Sequence, residues 1–209
     1  MTPETMAENA AWVIAGDFDP DKLSLQAAPT SPGNTYDRGK LMYEYAPGAP
    51  KRELVVTVPR VEEAYLTCRG VQKDFFTRGD TRIETNRYGA HLILDANNEF
   101  HLALYKLFED VISKIEETTG TTVTFPAQDK EGYSVVYTTL ISSNDGKIYS
   151  TAYTDNEYID ILECNRCKVR PALLLSTLKK SPTETKMRVQ ISHMYVHSMT
   201  SVFPLASQD

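Results

Sequence analysis

At 209 residues, with 41% hydrophobic and 24% charged residues, the chain is long enough to bury one sizeable core, and no apolar run approaches a membrane span of about 18 residues. The net charge of −6 argues against a protein that coats a polyanion by bulk attraction. Three cysteines make an odd set that excludes a paired disulfide framework, and acids stand where a secretory leader would carry positive charge. A reducing compartment is therefore expected, cytoplasmic or nuclear, that of an infected host cell included.

The charge is unevenly spread. Residues 1–37 hold six acids (Glu4, Glu8, Asp17, Asp19, Asp21, Asp37) against one base, Lys22, so −5 of the −6 lies there. This leader has no sustained periodicity, and AAPTSPGN at 27–34 is linker chemistry. It is expected to be an acidic, extended and mobile N-terminal arm (1–37), ahead of a single domain at 38–200 and a short tail at 201–209.

KLMYEY (40–45) and RELVVTV (52–58) read as two strands joined by APGAP, the second stopped at Pro59, which has no N–H for a ladder. EAYLTC (63–68) is a weaker strand. The polar, glycine-broken stretch 70–86 predicts a long loop, and RYGAHLILDA (87–96) returns to strand. From Asn98 to about Thr118 the period becomes helical: Phe100, Leu104, Leu107, Phe108, Val111, Ile112 and Ile115 share one face, with Gly120 just past the end. TTVTF, GYSVVYTTLIS, YIDIL, PALLLSTL and MRVQISHMYVH then follow as strands. A mainly β domain results, an antiparallel barrel or a sandwich, with one amphipathic helix at about 98–118.

Cys164-x-x-Cys167 followed by His193-x-x-x-His197 has the look of a zinc site. MRVQISHMYVH alternates as a strand, however, and four residues of strand span about 13 Å, so the two imidazoles cannot meet on one ion. No phosphate-binding loop, nucleophile elbow, dinucleotide fingerprint or HExxH helix is present. No metal, cofactor or enzymatic activity is expected.

Bases and rings are interleaved instead. Residues 164–190 carry seven bases against one acid, Glu184, and twelve tyrosines are spread along the chain. Single strands of nucleic acid are held by cations that track phosphates and rings on which bases stack. The candidate binding residues are Lys40, Tyr43, Arg69, Lys73, Phe75, Phe76, Arg78, Arg82, Arg87, Tyr88, Lys147, Tyr149, Arg166, Lys168 and Arg170. Tyrosines are also ordinary strand and core residues, Tyr43 and Tyr137 among the more ambiguous, and the bases at 164–190 also suit a solvated sheet edge.

An apolar strand ending in proline (ELVVTVP), a strand leading into a helix (HLILDANNEFHLALYKLFEDVISKIEE), and late strands YIDIL, PALLLSTL and MRVQISHMYVH come in a telling order. Over about 38–198 it resembles the OB-fold single-stranded-DNA-binding proteins of podophages and large eukaryotic DNA viruses. The resemblance implies an OB-fold-like barrel that coats and protects unwound DNA in replication, recombination and repair, without a cofactor. It implies single-stranded DNA and replication proteins as partners, and leaves a homodimer open. Phage members carry an acidic C-terminal tail; here VFPLASQD has one Asp. The competing reading is a viral structural, capsid-associated β-sandwich making protein contacts.

Overall fold

The computed structural model describes residues 12–27, 37–78, 81–179 and 181–199. Its strands begin with β1 (Val13–Ile14), β2 (Leu23–Ala27), β3 (Asp37–Tyr43), β4 (Arg52–Glu53), β5 (Val55–Thr57), β6 (Leu66–Arg78) and β7 (Thr81–Asp95). Helix α1 (Glu99–Thr119) comes next. After it run β8 (Thr122–Thr124), β9 (Ala127–Lys130), β10 (Tyr133–Leu140), β11 (Thr151–Tyr153), β12 (Tyr158–Ile159), β13 (Cys167–Lys179) and β14 (Glu184–Met199).

Five of these strands close on themselves. β6 pairs with β7, β7 with β10, β10 with β14, β14 with β13, and β13 returns to β6. Numbered by order along the chain, the circuit is 1-2-3-5-4-1, a Greek-key barrel closed in the OB manner, so the sheet does not split into a sandwich. The contact between β10 and β14 is parallel, which a purely antiparallel barrel lacks. Alternate residues fill the interior, among them Leu92, Leu94, Val136, Leu140, Val189 and Ile191, all buried.

Helix α1 lies between the second and third barrel strands in sequence. Asn98 caps it, its side-chain oxygen accepting from the backbone N–H groups of Phe100 and His101 at 3.0 and 3.2 Å. Gly120 ends it in the left-handed region at φ 64°, its N–H bonded to the Glu116 carbonyl at 2.8 Å. Leu104, Leu107, Phe108, Val111 and Ile115 form the buried stripe. His101 is buried too, accepting the Asp95 N–H at 2.9 Å.

β13 belongs to two structures at once. Cys167–Val169 pair with Cys68–Leu66 to close the barrel, whereas Ser176–Lys179 pair with Lys40–Asp37 in a second sheet, β3–β13–β14. Pro171 sits where this edge of β13 has left β6 and not yet met β5, whose pairing begins at Leu173. A residue with no N–H loses nothing there. The strand therefore begins at Cys167 and runs through the proline, where the sequence predicts a start at Pro171.

Two further expectations change. Residues 70–86 are not a loop but the distal part of the β6–β7 hairpin, paired from Lys73↔Tyr88 to Arg78↔Thr81. Residues 12–27, assigned to the arm, join the domain: β1 pairs in parallel with β5, β2 pairs with β3, and Val13, Ala15 and Leu23 are buried. Residues 1–11 and 28–36 of the expected arm, and the expected tail, lie outside the described residues.

Gly89 is required where β7 meets β10. A Cβ there would lie 2.5 Å from the Thr138 carbonyl oxygen, a backbone atom that cannot move aside without opening the sheet. Gly89→Ala should cost about 1–3 kcal/mol in urea denaturation. Gly16→Ala, with nothing within 4 Å of the new atom, should stay within about 0.5 kcal/mol of the parent.

Candidate nucleic-acid interface

Beyond the barrel seam, two arms project and face each other. One is the distal β6–β7 hairpin, the loop between the first two barrel strands drawn out into a ribbon. The other is the distal β13–β14 hairpin, flanked by β3. Between them and the outer face of β10 opens a cleft of about 710 Å³. OB barrels bind oligonucleotides at these places, on the face of the second and third strands and between the 1–2 and 4–5 loops.

The register explains how the lining is assembled. Gln190, Thr139, Gly89 and Gln72 form one row across β14, β10, β7 and β6. Tyr137 faces His91 in a parallel row, their rings edge to face at 4.7 Å. Gln72 Nε2 lies 2.9 Å from His91 Nε2, and the Tyr137 hydroxyl donates to Gln128 Oε1 at 3.0 Å. Tyr137 on the floor of the cleft is 38% exposed and Phe75 on the first arm is 44% exposed, so both present ring surface to solvent.

On the opposite arm the outward positions of β14 are basic. Lys186 pairs across Leu178 to Arg38, and Arg188 across Ser176 to Lys40, so two cations stand on each side of β13, about 10 Å apart. Among the described residues, Arg38, Lys73, Arg87, Lys186 and Arg188 line the cleft against one carboxylate, Asp74. Lys73 is 3.2 Å from Glu84, an exposed pair that solvent screens. Among the described residues no ion pair engages Arg38, Arg87, Lys186 or Arg188. Burial, then the nearby Arg38 and Arg87, lower the Arg188 pKa from its usual value. Like charges are held together there, and among the described residues no ion pair offsets them.

The predicted residues divide. Lys73, Phe75 and Arg87 line the cleft, and Lys40 shares the outer face of β3 with Arg38. Arg69 stacks over Tyr133, 5.5 Å from its centroid and 3.3 Å from its hydroxyl, and acts on His91, extending the same face. Lys147 lies 5.6 Å from the centre of the Tyr149 ring, in a turn whose Gly146 abuts Asn86 at the side of the first arm. Tyr88 is half-buried and packs against the core. Phe76, Arg78 and Arg82 fall on β6 and β7, with side chains outside those described.

The remaining four sit elsewhere. Tyr43 is buried, its hydroxyl accepting the Asp19 N–H at 3.1 Å, so it offers no ring to a ligand. Arg170 is half-buried, its Nε donating to the Val58 carbonyl at 2.9 Å and its guanidinium 5.5 Å from the Trp12 ring centre. Arg166 and Lys168 are exposed at the start of β13. The ten residues from Lys168 to Leu178 span about 33 Å, so the basic stretch at 164–190 becomes two separate clusters.

Arg38, Gln72, His91, Tyr137, Lys186 and Arg188 also line the cleft, although they are not among the candidate binding residues. Within the basic run 164–190, the signal that sets Lys186 and Arg188 apart is alternation: with Gln190 they occupy every second position of β14.

The cysteines form a buried group at the barrel seam, Cys68 opposite Cys167. The Cys164 thiol raises the Cys167 pKa to about 12, and Cys167 in turn pushes Cys68 upward. Such thiols are inert packing groups. Among the described residues no cluster of three or more His, Cys, Asp and Glu could hold a metal ion. Nor is any described helix long and apolar enough to cross a membrane.

No family model matches the chain, and no curated protein matches it. Among solved structures it is similar to the single-stranded DNA-binding protein from bacteriophage Enc34, at 12% identity over 88% of this chain and 96% of that one, with a TM-score of 0.45. It is also similar to gp2.5, a single-stranded DNA binding protein encoded by bacteriophage T7, at 8% identity over 68% of this chain and 94% of that one, with a TM-score of 0.41. Both are phage single-stranded-DNA-binding proteins. At such identities and TM-scores neither likeness carries a functional argument, which the cleft has to supply.

His91 gives the cleft a pH signature. Burial first, then Arg69, lower its pKa below the usual 6.5, so the ring is neutral at pH 7. Lys73, Asp74 and Arg87 share the cleft with it. An anion bound there favours the imidazolium, which couples binding to proton uptake. Affinity for oligo-dT, whose phosphodiesters keep their charge, should therefore rise as the pH is lowered through the titration of His91, and His91→Ala should flatten that rise in calorimetric titrations.

Proposed function

We propose that the protein binds single-stranded DNA without sequence preference, coating and protecting unwound strands in replication, recombination and repair. The observation that carries this reading is the convergence of cations and exposed rings from β3, β6, β7, β10 and β14 in one cleft. That combination suits a flexible strand, whose phosphates need cations and whose unpaired bases need flat apolar partners. A duplex keeps its bases stacked internally and gives Phe75 and Tyr137 nothing to hold.

In this role the protein works as a binder and not as an enzyme, in the intracellular compartment where viral DNA is copied. Replication proteins are its expected partners. Overall charge does not oppose the role, because the Debye length is about 8 Å at physiological salt and the cleft acts on phosphates within that distance.

The test is a titration of fluorescent oligo-dT at several salt concentrations. Log affinity should fall linearly with log salt, and Lys186→Gln or Arg188→Gln should each reduce the slope by about 0.7. Lys168→Gln, far along β13, should leave the slope unchanged. Phe75→Ala and Tyr137→Ala should weaken binding by about 1–3 kcal/mol each at constant slope. Absence of binding at low salt would end this reading.

A further inference from the structure

The cleft is not evenly charged. Arg38, Arg87 and the half-buried Arg188 come from β3, β7 and β14 to line one cleft; burial first, then the other two guanidiniums, disfavour the charge of Arg188. Lys186 is the next outward residue on β14. The one acid among the described lining residues, Asp74, sits on the far arm, its carboxylate accepting the Phe75 N–H at 2.9 Å.

These three cations exceed what a strand interior requires. An internal phosphodiester carries one negative charge and exposes two unbridged oxygens. A phosphomonoester at a strand end carries roughly −1.5 to −2 and offers three strong acceptor oxygens. Three guanidiniums, each a rigid fork of donors, offer one partner to each of the three oxygens of the second group and more than neutralise its charge. Tyr137, Phe75 and His91 line the same cleft, within reach of the end nucleotide's base.

We infer that Arg38, Arg87 and Arg188 form a subsite for the terminal phosphomonoester of a single strand, so that the protein holds phosphorylated ends more tightly than strand interiors. The inference rests on the single-strand reading above and adds to it a preferred point of attachment. Such ends are left by reactions that hydrolyse a phosphodiester and leave the phosphate on one fragment. A free nucleoside monophosphate carries the same group, and the sources separate experimentally.

The full-length protein is titrated with three probes at one salt concentration: thymidine oligomers of about eight nucleotides bearing a phosphate or a hydroxyl at the 5′ or 3′ end, circular single-stranded DNA, and free dTMP. The phosphorylated oligomer should bind about tenfold more tightly than its hydroxyl twin. That ratio should fall to about one in Arg188→Gln and Arg38→Gln, and to an intermediate value in Arg188→Lys, which keeps the charge but loses the fork. Equal affinities for phosphate and hydroxyl ends, with circles still bound, would overturn the subsite and leave strand binding intact. Displacement of the phosphorylated oligomer by an equal concentration of dTMP would also overturn it, since the strand would then add nothing. Failure to bind circles alongside a retained end preference would support the subsite and reject the coating role.

Discussion

The architecture depends on β13 changing partners along one edge. Its first residues must bond to β6 to close the barrel, and its last must bond to β3 to build the second sheet, so between them the strand has to leave one neighbour for another. Two register shifts against β14, at Lys168/Val169 and Ala172/Leu173, supply the bend. Pro171 occupies the interval where no neighbour would receive an N–H, and its carbonyl accepts from the Thr57 hydroxyl at 2.8 Å. Were β13 straight, the basic face of β3 and β14 would continue the barrel wall and no cleft would form.

The cleft in turn reflects a tension between stability and binding. Bringing Arg38, Arg87 and Arg188 together without acids disfavours the folded chain by itself, and partial burial of Arg188 adds to that cost. The opposing term comes from the core below, where Leu66, Leu92, Leu104, Leu173 and Ile191 are among the fully buried side chains. Assembled charges of one sign with no internal partner are a surface prepared for an external anion, which relieves the repulsion when it binds. The acidic excess of the chain does not cancel this: of the leader's acids, Asp17, Asp19 and Asp21 sit around the 3-10 turns beside α1, outside the cleft lining.

Legibility in the sequence followed the local or non-local origin of each feature. The helix was readable because Asn98, the apolar stripe and Gly120 are all local signals that agree with one another. The β6–β7 arm was not, because it leaves the core: with both faces polar, residues 70–86 show no alternation and imitate a loop. Tyr43 and Tyr137 share a residue type and strand context, yet one is core and the other cleft, a difference set by which way each strand faces its neighbours. The basic stretch at 164–190 misled because nearness in sequence is not nearness in space along an extended strand. Arg38 and Lys186 are brought together by register across β13, which composition does not encode.

The order in which the barrel strands are joined governs how the chain acquires its shape. Val169 meets Leu66 about a hundred residues away, and Ile191 meets Leu140 about fifty away, so both closures wait for the end of the sequence. During synthesis the first hairpin and the helix emerge early, but the end of β10, Thr139–Leu140, lacks its second neighbour until β14 leaves the ribosome. A chain stopped before residue 184 therefore exposes unpaired backbone beside apolar side chains, a species prone to associate with its own kind. High contact order of this sort makes folding slow, and it makes the cleft one of the last features of the molecule to exist.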